Sequence, residues 1–447
     1  MSKFESKGLV PELRFSQFIG GTEWQKKPFN KLYTLKVTNS LSRDKLNYDD
    51  GLVKNIHYGD IHTKFSTLFD ITKEYVPFIN TEISLDKVKE DSYCQEGDMV
   101  FADASEDIDD VGKSIELINL NGEKLLSGLH TILARQKGSY LVKGFGGYLF
   151  KSEVMRKQIQ KESQGAKVLG ISATRISNIE LIYPIDHDEQ QKIADCLSSM
   201  DDLITTNTKK LDSLKLHKKG LLQKLFPAEG ENKPDFRFPE FSMEANWKKE
   251  KLHNLVDLLS GHAFKSEYFS ATGKKMVTPK NFTKNGFASF SEDNTKYTSE
   301  DFNERYICRE GDLLLLLTDL TPSCELLGRP MLLTPSDGEV LLNQRIAKVI
   351  LKGNINSNFL KYFFLSNSFR KRIINTATGS TVRHTSNKIV LSTELLLPNL
   401  SEQNKIAACL LSIDELIRSQ ADKIETLKEY KKGLMQQLFP EMKESIA

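Results

Sequence analysis

The stretch "EQQKIADCLSSMDDLI", Glu189 to Ile204, returns as "EQNKIAACLLSIDELI", Glu402 to Ile417. The match runs on without a gap to "KKGLLQKLFP", ending at Pro227, and "KKGLMQQLFP", ending at Pro440. Of these 39 aligned positions 22 are identical, so the chain is an internal repeat with a period of about half its length. In the first copy Ile193, Leu197, Met200, Ile204, Leu211, Leu214, Leu221 and Leu225 fall at alternating steps of four and three. Ile406, Leu410, Ile413, Ile417, Ile424, Leu427, Leu434 and Leu438 do the same in the second. Such spacing is a coiled-coil seam, broken only at Asn207 and Lys218 and at Gln420 and Lys431. "SEQ" at Ser401 marks the second start, the prolines stop both helices, and about 38 residues at 1.5 Å each predict rods of about 57 Å.

Each rod needs a partner, and the other copy is the obvious one. In an antiparallel pair the facing residues have a constant sum that changes only by sevens. A sum of 631 sets Asn207 against Ile424 and Lys431 against Met200. A sum of 638 joins Asn207 to Lys431 and Gln420 to Lys218 and leaves the other layers apolar. An unpartnered buried polar group costs roughly 1–3 kcal/mol, so the expectation is the second register, with Asn207, Lys218, Gln420 and Lys431 setting it.

The repeat also has a head. "PELRFSQF" from Pro11 matches "PDFRFPEF" from Pro234, with Trp24 and Trp247 following each. Between these constant ends the halves diverge, keeping echoes such as "QEGD" at Gln95 against "REGD" at Arg309, and Gly165 against Gly379. The expected layout is a variable globular domain over 1–187, a helix over 188–227, a second variable domain with a short linker over 228–400, a helix over 401–440 and a tail over 441–447. Short alternating runs such as "GDMVFADA" beside helix-like "NFLKYFFLSNSFRKRIIN" make each domain α+β, joined by two long antiparallel coiled-coil helices with pseudo-two-fold symmetry.

Composition excludes several classes. The chain is 39% hydrophobic and 27% charged, and its longest aliphatic run, Leu313 to Leu317, is too short to span a bilayer, so a cytoplasmic protein without membrane contact is expected. The five cysteines contain no CxxC pair; Cys94, Cys196, Cys308 and Cys409 read as small buried hydrophobes. His57 and His62 lack a ligand pattern, the acidic run "SEDIDD" at Ser105 reads as a solvated face, and no metal site is expected. "GFGGY" at Gly144 reads as a tight turn rather than a methyl-donor loop, and no GxxxxGK[ST] loop is present.

Net charge is only +2, so distribution decides. Ser366 to Lys388 carries Arg370, Lys371, Arg372, Arg383 and Lys388 with no acidic residue, a local +5. The corresponding stretch, 151–176, holds Lys151, Arg156, Lys157, Lys161, Lys167 and Arg175 against two glutamates. Two basic patches recurring in step with the helices suit two DNA-facing domains. Within "TGSTVRHTS", Ser380, Thr381, Arg383 and His384 offer hydroxyls, a guanidinium and a ring for phosphates or base edges. Tyr58 in "IHYGDIHTK" and Lys280 in "TPKNFTKNGF" are further candidates.

A variable domain plus long helix, written twice and joined by "PNLSEQNKIAACLLSIDELI" and "KKGLMQQLF", resembles the specificity subunit of type I restriction-modification enzymes over nearly the whole chain. "NIHYGDIHTK" from Asn55 also looks like a segment of such domains. The resemblance implies a non-catalytic reader of double-stranded DNA. Each variable domain would read half of a bipartite, asymmetric target. The helices would act as a ruler and dock two methyltransferase (M) subunits, with restriction (R) subunits joining the larger complex. No cofactor is then expected in this chain; S-adenosylmethionine, ATP and magnesium belong to the partners. The competing reading is a coiled-coil adaptor without DNA readout.

Overall fold

The computed structural model describes residues 9–165, 168–228, 230–321 and 323–441. The chain divides into two compact units, Met1–Thr208 with Lys423–Ala447, and Lys209–Asp422. The division cuts both repeated helices, His187–Leu225 and Leu400–Leu438, so each unit is one globular domain plus a piece of each helix. No described helix is both long and apolar enough to cross a membrane.

In the first unit a five-stranded sheet runs in the order Tyr33–Lys36, Thr131–Gln136, Met99–Ala102, Ser114–Asn119, Leu68–Asp70. Its last pair is parallel and the others are antiparallel. A four-stranded sheet orders Leu125–Ser127, Lys54–Ile56, Phe78–Ile79 and Leu46–Asn47. The second unit reverses the sizes. Its four-stranded antiparallel sheet orders Val256–Ser260, Ile346–Leu351, Leu313–Leu316 and Pro330–Leu332, beside a five-stranded sheet ending on Val340–Leu342 and Ile307–Cys308. The central strands "MVFA" and "LLLL" are buried at every residue, which is why they read as continuous apolar runs rather than as alternation.

The echo "QEGD" and "REGD" is the same turn before those strands. Asp98 accepts the N–H of Gln95 and Asp312 that of Arg309, both at 2.8 Å, across Gly97 and Gly311 at φ +87° and +81°. Only glycine adopts that φ without strain. Cys94 and Cys308 are buried as expected, whereas Cys196 and Cys409 lie half-buried on the long helices, beside rather than in the seam. "GFGGY" is not a bare turn. It opens a short helix, Phe145–Leu149, and the N–H groups of Gly144 just before it and Gly147 within it donate to buried Glu116 at 2.7 and 2.6 Å.

The constant parts of the repeat meet one another. Arg14 makes two 2.7 Å bonds to Glu189, and Arg237 makes two of 2.8 Å to Glu402, tying "RF" to "EQ" in each unit. Gln190 bridges Val142, Tyr140 and Pro184, as Gln403 bridges Asn356, Asn354 and Pro398. Caps set both helix starts: Asp186 accepts from Asp188 N–H at 2.8 Å and Asn399 from Glu402 N–H at 2.9 Å, so the second helix starts before the "SEQ" expected to open it.

The register differs from the expected one. In the first unit Lys431 Nζ lies 2.5 Å from Asp201, which also accepts the Tyr148 hydroxyl at 2.8 Å. In the second, Lys218 Nζ lies 2.5 Å from Asp414, which accepts the Tyr362 hydroxyl at 2.7 Å. Lys431 therefore reaches Asp201, the residue after Met200, as the register of sum 631 requires, and not Asn207; Lys218 likewise meets Asp414 and not Gln420. The physical reason is that a long ammonium stem reaches a carboxylate one position off the seam, while a tyrosine from the globular domain completes the shell. Asn207 satisfies its amide on its own helix, at Leu203 O, 2.7 Å. With those polar groups satisfied, nothing offsets the larger apolar overlap of the longer pairing, and Leu197, Leu434 and Leu438 pack in one core.

Candidate nucleic-acid interface

Both domains build the same hairpin ahead of the strand that leads into a long helix. In the first, Leu169–Gly170 pairs with Ala104–Ser105 and Gln164 bridges Gly170. In the second, Arg383–His384 pairs with Thr318–Asp319 and Thr378 bridges His384. Gly165 at φ +132° and Gly379 at φ +94° make the bend, and a Cβ on either would lie 2.0 Å from a carbonyl oxygen, of Val168 or Val382. The chemistry on this shared backbone differs. The first hairpin continues through buried Ile171 to a helix capped by Ser172; the second carries Arg383, His384, Thr385 and Asn387.

The basic residues divide by what they touch. Arg156 donates to the carbonyls of Asp109 and Val111, Arg175 to that of Glu162, and Arg370, only 8% exposed, to those of Cys324 and Glu325. Burial pulls Arg370 down to about 10, with Arg329 adding to the effect. Lys151 is half-buried with Nζ on Thr67 at 2.6 Å, and burial, then Lys431, lowers it to about 8. These four act first as braces. Lys157 is exposed beside Glu153 at 2.6 Å, and Lys167 lies outside the described residues.

Lys280, Lys388, Ser380, Thr381 and His384 are exposed, His384 with Nδ1 3.1 Å from Thr318 Oγ1. Exposed Lys371 and Arg372 line a cleft of about 750 Å³ with Lys249, Lys251 and Glu394 where the first long helix ends. There Arg372 bonds Thr393 and Ser392. Tyr58 is half-buried in a ring cluster, 4.7 Å from His57, 5.3 Å from His130 and 6.2 Å from His62. Burial, then Arg43, lowers the pKa of His57, whose Nδ1 accepts from Gly59. Two residues beyond Tyr58, buried Asp60 takes both arms of Arg43 at 2.8 and 2.9 Å, which holds the loop's shape.

Sequence reading passed over His130, Arg43, and the Tyr148–Asp201 and Tyr362–Asp414 bonds. The last two were findable, because both aspartates sit in the repeated "D-x-L-I" and both tyrosines in "Y-x-F", at nearly the repeat offset.

The family described as "Type I restriction modification DNA specificity domain" matches residues 59–216 and 244–429. Among curated proteins, the type I restriction enzyme MjaVIII specificity subunit of Methanocaldococcus jannaschii is 28% identical over 65% of this chain and 69% of its own. The putative MjaX specificity subunit of the same organism is 24% identical over 90% and 89%. Among solved structures, the type I restriction-modification S subunit from M. genitalium aligns with a TM-score of 0.57 at 14% identity, over 97% of this chain and 100% of its own. At that identity the likeness shows the fold.

Proposed function

Because the chain belongs to the type I restriction modification DNA specificity family, we propose that it is the non-catalytic sequence reader of a type I restriction-modification complex. Each variable domain takes one half of a bipartite, asymmetric target in double-stranded DNA. The repeated helices dock two methyltransferase subunits, restriction subunits join through these, and their length sets the spacer between the half-sites. S-adenosylmethionine, ATP and magnesium are held by those partners.

One observation carries this reading: the same Asp–Lys–Tyr set and the same hairpin pairings recur in both units, while the side chains on the hairpins differ. A duplicated frame with unlike heads suits one machine reading two unlike sequences. The candidate contacts are Tyr58, Lys157, Lys280, Lys371, Arg372, Ser380, Thr381, Arg383, His384 and Lys388, with phosphate contacts supplying salt-sensitive affinity and base edges the selectivity. Co-expression with the cognate methyltransferase subunit, followed by mapping of methylated bases across a genome, tests it. The expected product is one bipartite motif with dissimilar halves; no sequence-selective methylation would refute the assignment.

A further inference from the structure

Nine described side chains have a buried polar atom without a hydrogen-bond partner, and three of them fall within five residues: Arg383 Nε, Thr385 Oγ1 and Asn387 Oδ1. All three lie on the second domain's hairpin or just past it. An unmet buried donor or acceptor costs roughly 1–3 kcal/mol, so clustering three is expensive unless something else satisfies them. Asp319, the cross-strand neighbour of Arg383, is not available to it. Its carboxylate already accepts the N–H groups of Thr321, Leu326 and Leu327, at 2.8, 2.6 and 3.0 Å. Asn387 is pinned by its own amide, which donates to Ser260 at 2.9 Å and leaves the oxygen unmatched.

The internal repeat supplies the control. The bridges Gln164–Gly170 and Thr378–His384 put the two hairpins in one register, so Arg383, Thr385 and Asn387 correspond to Leu169, Ile171 and Ala173. The first domain completes the same backbone with apolar side chains and no unmet polar atom at those places. The polar set is therefore not needed to build the hairpin. Phosphates are alike in both half-sites whereas the bases differ, so a polar set kept by one domain alone suits base reading better than a contact to the DNA backbone.

We propose that Arg383, supported by Thr385 and Asn387, is a base-reading element of the second domain alone, taking a guanine through its O6 and N7 edge in the half-site that domain covers. This rests on the DNA-reading function proposed above. A guanidinium is the group whose fork matches that edge, and one bidentate pair discriminates between bases by roughly 5- to 150-fold.

The test uses the full chain co-purified with its methyltransferase partner. Duplexes carry the motif methylated by the wild-type complex, plus single base-pair variants at every position. R383L, which installs the first domain's residue, should lower preference by about 10- to 100-fold at one G·C pair of one half-site and leave the other half-site unchanged. R383K, which keeps the charge but loses the fork, should relax the same position. Equal weakening across all sequences, with a shallower salt dependence, would make Arg383 a phosphate contact and overturn the proposal, as would an unchanged motif in both variants. If the wild-type complex showed no selectivity, the parent function would fall instead. Unchanged unfolding midpoints exclude a misfolded variant.

Discussion

Asp201 and Asp414 hold equivalent places but unequal burial. The Asp414 side chain is 5% exposed and gathers Lys218, Tyr362 and, at 3.3 Å, the fully buried Lys361; the Asp201 side chain is 37% exposed. Removing one partner of a buried pair leaves a stranded charge, so Asp414→Asn should destabilise by about 3 kcal/mol. Asp201→Asn should cost only about 1 kcal/mol, as solvent screens it. Denaturant unfolding of both variants checks the ranking. Lys361 adds a pH signature. Burial, partly countered by Asp414, lowers it from the ordinary 10.5 to about 7. Between those values the unfolded chain binds a proton that the folded one releases, so this group's contribution to stability rises with pH and its penalty is complete below about 7. Lys361→Met should therefore gain most over the wild type at pH 7 and progressively less toward pH 10, read by unfolding at both.

At the scale of elements, the hairpin bend is the sharpest target. Gly379→Ala places a methyl 2.0 Å from Val382 O at φ +94°, costing about 1–3 kcal/mol locally. Loss of DNA selectivity with an unfolding midpoint lowered by no more than roughly 10 °C is the expected result, checked by binding assays beside thermal melts. The long helices were legible because heptad spacing needs no tertiary information. Their register was not, since the partner of Lys431 is Asp201, a residue off the seam, with Tyr148 contributed by a different element. The same limit applies to the basic patches. Counting finds the charge, but Arg156, Arg175 and Arg370 turn toward carbonyls at Asp109, Glu162 and Cys324 that only the folded domain brings near.

For the whole molecule, duplication was the most legible feature and divergence the least. A helix can be recognised by comparison with its copy, whereas Arg383, Thr385 and Asn387 have no like residue at Leu169, Ile171 and Ala173. If the helices set the spacer, inserting four residues into the repeated helix should lengthen the gap between methylated half-sites while leaving both half-site sequences intact. An unchanged gap in methylation sequencing would remove the ruler. The first unit also draws on distant parts of the chain: its core joins Trp24, Phe145 and Leu197 to Leu438 and Phe439, with Trp24 and Phe439 rings 5.9 Å apart. During synthesis at about 5–20 residues per second, the ribosome adds the whole second unit before that closing segment exists. For roughly 10–40 s the newborn first domain holds an apolar face open, which makes the time between its emergence and its completion the interval in which chaperones matter most.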